Sequence, residues 1–230
     1  MSTGLKPLVY EKPLEDPLVH LPRSTVLEFR KGQVIYHADQ PASSVYLVIN
    51  GRVKVSRQAD PDLPVVIDIY RRDEFFGEGA LVGLTRRGEE ATALETTQVM
   101  SWTNAELEDV LLRRPRLALA LVQMLVQRTN EFSSRIVSFS ADNTARRLAR
   151  SLLRLAERMG ERSEDGSVRV LPLTHQLLSQ YVGTSREIVT HYMNQFRREG
   201  YIRYSRKGMD LYVDALQAWL RADSTDSQES

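Results

Sequence analysis

The stretch Leu173-Thr174-His175-Gln176-Leu177-Leu178-Ser179-Gln180-Tyr181-Val182-Gly183-Thr184-Ser185-Arg186-Glu187-Ile188-Val189-Thr190-His191-Tyr192-Met193-Asn194-Gln195-Phe196 reads as a helix, a three-residue turn centred on Gly183, and a second helix. Leu177, Leu178, Val182, Val189, Met193 and Phe196 have the spacing at which two helices bury a shared face. Thr184, followed three residues on by Glu187, predicts a capping box that opens the second helix. Ser185, Arg186, Glu187, Thr190, His191 and Asn194 then share its outward face, and all carry polar or charged groups. Such a helix places its N-terminal side chains in the major groove of double-stranded DNA. Arg186 suits a bidentate contact to guanine O6 and N7, and Glu187 can accept from cytosine N4. Ser185 and Thr190 suit phosphate or base contacts, and Thr174 and Gln176 suit phosphates.

Arg197-Arg198 follow, then Tyr201 to Tyr204, Ser205 to Gly208 and Met209 to Tyr212, which predict a two-stranded wing with Arg206 and Lys207 in its turn. Between Leu171 and Lys207 there are 6 basic and 2 acidic residues. The whole chain of 230 residues is nearly neutral at +1, but Asp142 to Val213 hold 13 Lys/Arg against 8 Asp/Glu, a net of +5. Alone, such a segment is equally a solvated helical face or a nucleic-acid surface. The capped helix pair, its turn glycine and the basic wing decide for DNA over a winged helix that binds protein.

Upstream of Asp142 the pattern is different. Val26 to Phe29, Gln33 to Tyr36, Val45 to Ile49, Arg52 to Val55, Val65 to Tyr70, Thr92 to Thr96 and Gln98 to Trp102 are short β-type runs. Lys31-Gly32 and Asn50-Gly51 sit where tight hairpins need positive φ. Seven short strands in fewer than 80 residues predict a β-roll. Thr103-Asn104-Ala105-Glu106 is a capping box for a helix that ends at Arg114. Pro115 opens a long helix to about Phe139, with Leu121, Leu125, Arg128 and Phe132 on one stripe. The adjacent stripe Val122, Val126, Thr129, Ser133 and Ile136 is also largely uncharged, so a second copy of the chain is the economical cover. Leu121, Leu125 and Phe132 are the expected dimer contacts. A further helix is expected from Thr144 to Met159, then a polar turn from Gly160 to Ser167.

The expected fold class is therefore α+β. It comprises a proline-punctuated arm (1–24), a β-roll (25–114), a dimerisation helix (115–141), a winged helix-turn-helix (142–222) and a disordered polar tail (223–230). Cysteine is absent, which excludes disulfides, thiolate iron–sulfur clusters and thiol catalysis. The four histidines, His20, His37, His175 and His191, are too scattered for a metal site. The longest apolar run, Leu117 to Val122, is far below the ~20 residues of a bilayer span. No secretory signal is visible, so a cytoplasmic location is expected. No glycine-rich phosphate loop, nucleophile motif or metal-spaced cluster points to an enzyme.

This order of parts resembles the Crp/Fnr superfamily of bacterial transcription regulators over about residues 24–213. The resemblance rests on Phe29 to Ile35, Val45 to Val55, Phe76-Gly77-Glu78 with Leu81, and Gly183 to Val189. It implies a homodimer on a near-palindromic operator, with RNA polymerase as a partner. It implies that Arg186 and Glu187 read the inner bases of a TGA-type half-site, with His191 where an arginine is usual. It further implies an effector pocket in the roll, cyclic-nucleotide-binding in type, around Gly77, Glu78, Arg87, Gly88, Phe132 and Ser133. Here Gly88 replaces the family's hydroxyl residue, Glu89-Glu90 follow at once, and Phe132 replaces half of a Thr-Ser pair. Two carboxylates beside a phosphate would repel it. The expectation is a regulator not controlled by cyclic AMP, with no effector, or a different small metabolite, in the roll. The rivals are a cyclic-nucleotide-responsive regulator and a nucleotide-sensing module with a protein-binding C-terminal domain.

Overall fold

The computed structural model describes residues 16, 18, 21, 22, 24–60, 63–205 and 208–226. Most of the expected arm, the wing-turn residues Arg206 and Lys207, and residues 227–230 lie outside them. The chain forms two compact units, with the boundary between Glu131 and Phe132.

The first unit is the expected roll, built of eight strands. They are β1 (Val26–Phe29), β2 (Val34–Tyr36), β3 (Ser44–Asn50), β4 (Val53–Asp60), β5 (Leu63–Tyr70), β6 (Phe75–Phe76), β7 (Glu90–Ala93) and β8 (Thr97–Thr103). One sheet runs β1-β8-β3-β6 and the other β2-β7-β4-β5. Gly32 and Gly51 both have positive φ, as expected, yet neither turn makes a hairpin. β1 pairs with β8 and β2 with β7, so each glycine turns the chain from one sheet into the other. A Cβ on Gly51 would lie 2.6 Å from the Thr96 carbonyl oxygen, so this corner is closed to larger residues.

β3 is buried on both faces, which explains its unbroken apolar run. Successive side chains point to opposite faces of a strand. Val45 and Leu47 accordingly enter a core with Phe75, Trp102, Leu107, Leu117 and Leu121. Val48 enters the other core with Tyr36, Val53, Val55, Tyr70, Phe76 and Val99. The Thr103 capping box is present and opens α1 (Asn104–Arg113). α2 (Pro115–Ala141) follows, 27 residues and about 40 Å long.

The second unit contains α3 (Thr144–Met159), β9 (Glu161–Arg162), β10 (Val168–Val170), α4 (His175–Val182), α5 (Arg186–Arg198), β11 (Ile202–Ser205), β12 (Gly208–Leu211) and α6 (Val213–Asp226). The expected polar turn after Met159 is a hairpin of β9 and β10. It widens the two-stranded wing to a four-stranded sheet in the order β11-β12-β10-β9. α6 runs through Asp226, so the expected tail does not begin at Asp223. Trp219 anchors α6 to the core of the unit, because its ring meets Phe196 edge-on at 5.3 Å.

Candidate functional site

The helix-turn-helix forms through its caps. Thr174 caps α4, its hydroxyl accepting from the Leu177 N–H at 3.1 Å. Gly183 ends α4 with φ +72°, where the Phe139 ring approaches so closely that a Cβ would stand 2.8 Å from it. The Thr184 N–H is used to close α4, donating to the Ser179 carbonyl at 3.1 Å. The cap of α5 therefore passes from Thr184, as expected, to Ser185, whose hydroxyl accepts from the Ile188 N–H at 3.3 Å. Two neighbouring hydroxyl residues make the one-residue shift invisible in sequence.

Val189, Met193 and Phe196 are buried, which turns the opposite face of α5 outward. Ser185, Arg186, Glu187, His191 and Arg197 are exposed there, as is Gln176 on α4. Thr190 and Asn194 are half-buried. The Glu187 carboxyl is held below the usual range by its own backbone N–H and by the Ser185 hydroxyl, so it stands as an acceptor. Thr174 spends a lone pair on capping and keeps its hydroxyl proton, whereas the one proton of the Ser185 hydroxyl goes to the Glu187 carboxylate. Thr190 is not free either. Its hydroxyl donates to the Arg186 carbonyl at 2.8 Å and meets His175 Nδ1 at 2.8 Å.

The arginines of this unit differ in whether they are held by a partner. Arg146 and Arg150 pair with the buried Asp142, and Arg169 and Arg203 with the buried Asp210. Arg135 and Arg147 donate to the last carbonyls of α4, Tyr181 and Val182. These six stabilise the unit. Among the described residues, Arg186, Arg197 and Arg198 have no ion-pair partner and lie exposed on α5. Arg154 and Arg162 also have no ion-pair partner among the described residues, so α5 carries three of the charges left unpaired in this unit.

The roll gathers the expected effector residues Gly77, Glu78 and Arg87, but engages them with one another and with groups that sequence reasoning missed. Glu78 forms a 2.6 Å ion pair with Arg128 of α2, which also donates to the Phe75 carbonyl and lies over the Tyr70 ring. In sequence Arg128 reads only as an interruption of an apolar stripe. Arg87 is 5% exposed, donates to the Ser44 carbonyl at 2.8 Å and stacks 3.9 Å from the Tyr36 ring centroid. Gly77 admits this arginine, since a Cβ there would stand 2.8 Å from Arg87 Nη1. Gly88 has φ +69° and open space where a Cβ would project. Glu89 accepts from the Tyr36 hydroxyl at 3.1 Å, and burial, then Glu78, push its carboxyl up. Glu90 points the other way, to His37 at 3.0 Å, so only one of the two carboxylates faces inward. On α2, Phe132 is half-buried and Ser133 exposed.

Leu121 corrects one expectation. It is buried in its own roll's core, so it is not on the outside of α2. Leu125 and Phe132 are half-buried, whereas Val122, Val126 and Ile136 are exposed by 56%, 51% and 65%. The stripe that sequence placed second is the outer one. Among the described residues no group of three or more His, Asp or Glu could hold a metal ion, and no helix is long and apolar enough to cross a membrane.

Comparison with known proteins agrees with this architecture. The cyclic nucleotide-binding domain family matches residues 26–114 and the Crp-like helix-turn-helix domain family residues 146–219. The transcriptional regulator SdrP of Thermus thermophilus is 33% identical over 183 residues, covering 79% of this chain and 86% of that one. A CRP-like cAMP-activated global transcriptional regulator of Mycobacterium tuberculosis is 27% identical over 184 residues, 80% and 82% of the two chains. The structure of a CRP/FNR-family transcriptional regulator from Thermus thermophilus superposes with a TM-score of 0.69 at 27% identity, over 86% of this chain and 98% of that one. With a roll, a long helix and a capped helix-turn-helix bearing free arginines, the chain belongs to the CRP/FNR family and is a DNA-binding transcription regulator.

Proposed function

We propose that the protein binds a near-palindromic operator as a homodimer and does so without cyclic AMP. The observation that carries this reading is Arg186 and Glu187, exposed in the first turn of a capped helix and, among the described residues, held by no ion pair to another element. In this reading they read base edges with His191 and Asn194, while Thr174, Gln176, Ser185 and Arg197 touch phosphates. Arg206 and Lys207 would add phosphate contacts. Two recognition helices would enter major grooves about 34 Å apart. The outer stripe of α2, Val122, Val126 and Ile136, supplies the surface for a second copy, and the bound dimer would work on RNA polymerase in the cytoplasm.

Independence of cyclic AMP is supported by the roll's own bonding. A cyclic phosphate would need Arg87, which is stacked under Tyr36 and bonded to Ser44, and Glu78, which is paired with Arg128. Gly88 offers no hydroxyl in place of the family's usual one. The test is a gel shift on a duplex selected from random-sequence DNA by the protein itself, with and without cyclic AMP, cyclic GMP, cyclic di-GMP or 2-oxoglutarate. Equal affinity with and without cyclic AMP is expected. Cyclic AMP that tightens DNA binding, or raises the melting temperature of the free protein, overturns that part of the reading.

A further inference from the structure

His175 joins three elements that are far apart in the chain. It is the first residue of α4, its Nδ1 lies 2.8 Å from the Thr190 hydroxyl on α5, and its Nε2 lies 3.1 Å from the Tyr204 hydroxyl on β11. We propose that His175 is a positioning residue that ties the wing to the recognition helix and makes operator binding proton-linked. The proposal rests on the DNA-binding reading of this face.

The direction of each hydrogen bond follows from counting protons. Thr190 has one hydroxyl proton and gives it to the Arg186 carbonyl at 2.8 Å. It must therefore accept from His175, which puts the ring proton on Nδ1. In a neutral ring Nε2 is then a bare acceptor, and the Tyr204 hydroxyl donates to it. Every donor in the chain Tyr204, His175, Thr190 is spent internally. Adding a proton at Nε2 leaves the Thr190 bond intact and reverses the Tyr204 bond. The tyrosine oxygen now accepts, its O–H turns to solvent, and the ring carries a positive charge beside Arg186.

The charged and titratable groups facing His175 are Arg186 on α5 and Tyr204 on β11, with Arg197 acting on Tyr204. Among the described residues no carboxylate acts on the ring. Burial, then Arg186, hold it below the ordinary histidine range in the free protein. A DNA phosphate at this face supplies the missing opposite charge and accepts a hydrogen bond from the reoriented Tyr204 O–H. Binding thus takes up a proton, and affinity rises as pH falls between the free and bound values of the ring.

The experiment measures fluorescence anisotropy of the selected duplex between pH 6 and 8.5 at constant ionic strength. For the wild type, affinity per recognition unit is expected to rise toward tenfold per pH unit as the ring protonates, the limit for one proton. His175→Gln, which can still bond Thr190 but does not titrate, is expected to flatten that slope while staying within about threefold of wild type at pH 8.5. His191→Gln, which removes a base reader on this face, is expected to lower affinity at every pH while keeping the wild-type slope. A His175→Gln slope equal to wild type, or a flat His191→Gln profile, overturns the proposal. NMR titration of the His175 ring with and without the duplex is a second measure, and a value that does not rise on binding also overturns it. Failure of the DNA-binding reading itself looks different, because Arg186→Ala would then bind the selected duplex as tightly as wild type.

Discussion

At the scale of single residues, the candidate site separates arginines by whether they have partners. Arg186→Ala is expected to weaken binding to the selected duplex by about 1–3 kcal/mol and leave binding to random DNA nearly unchanged, as paired gel shifts would measure. Equal losses on both would assign Arg186 to a phosphate. Arg128→Ala leaves the Glu78 carboxylate and the Phe75 carbonyl without their partner, and is expected to cost about 3 kcal/mol in urea unfolding. Glu89 carries the opposite sign. Its carboxyl is raised by burial and by Glu78, so it favours folding most when protonated, and that contribution is lost as pH rises through its folded value. Glu89→Gln keeps an acceptor for Tyr36 and is expected to stabilise the roll by about 0.5–1 kcal/mol at pH 7, the gain vanishing toward pH 4. Thermal melts at the two pH values check it. The outward face of α5 was legible because its polar groups recur at helical spacing beside buried Val189, Met193 and Phe196. The Glu78–Arg128 pair was not, since its partners are 50 positions apart and only the roll brings them together.

At the scale of elements, most boundaries could be read from caps and breakers. Thr103 and Pro115 mark α1 and the start of α2 as expected, and Asn143 and Thr174 cap α3 and α4. What local chemistry does not carry is the choice between equivalent partners. Gly51 satisfies the positive φ of a hairpin and of a sheet corner alike, and only the pairing of β3 with β8 tells them apart. On α2 two adjacent stripes are apolar, and the roll takes the one containing Leu117 and Leu121. Glu161-Arg162 and Phe75-Phe76 are too short to show alternation, so β9 and β6 emerge only with their neighbours. Gly183 is a position where element geometry admits one residue. Gly183→Ala places a Cβ at φ +72° against Phe139 and is expected to cost about 1–2 kcal/mol in chemical unfolding. DNA affinity should fall with it.

At the scale of the whole molecule, the proposed homodimer would form on the stripe left outside. Val126→Glu places a charge in the exposed row between Val122 and Thr129, and is expected to convert a dimer to a monomer in light scattering while the melting temperature of each subunit holds. Loss of operator affinity should accompany it, because a single recognition helix makes half the contacts. Leu121→Glu is expected to behave differently, unfolding the roll, since that side chain is buried in its core. A dimeric Val126→Glu would refute the α2 interface.

The sheet corners at Gly32 and Gly51 also bear on how the chain is made. Because β1 crosses away from β2, its partner is β8, and Val26 faces Met100. On a ribosome adding about 5–20 residues per second, β1 emerges roughly 4–15 s before β8 exists to pair with it. The roll therefore cannot ripen hairpin by hairpin during translation. Its first sheet must close late, after Trp102 has cleared the exit tunnel, and an apolar edge waits in the cell until then.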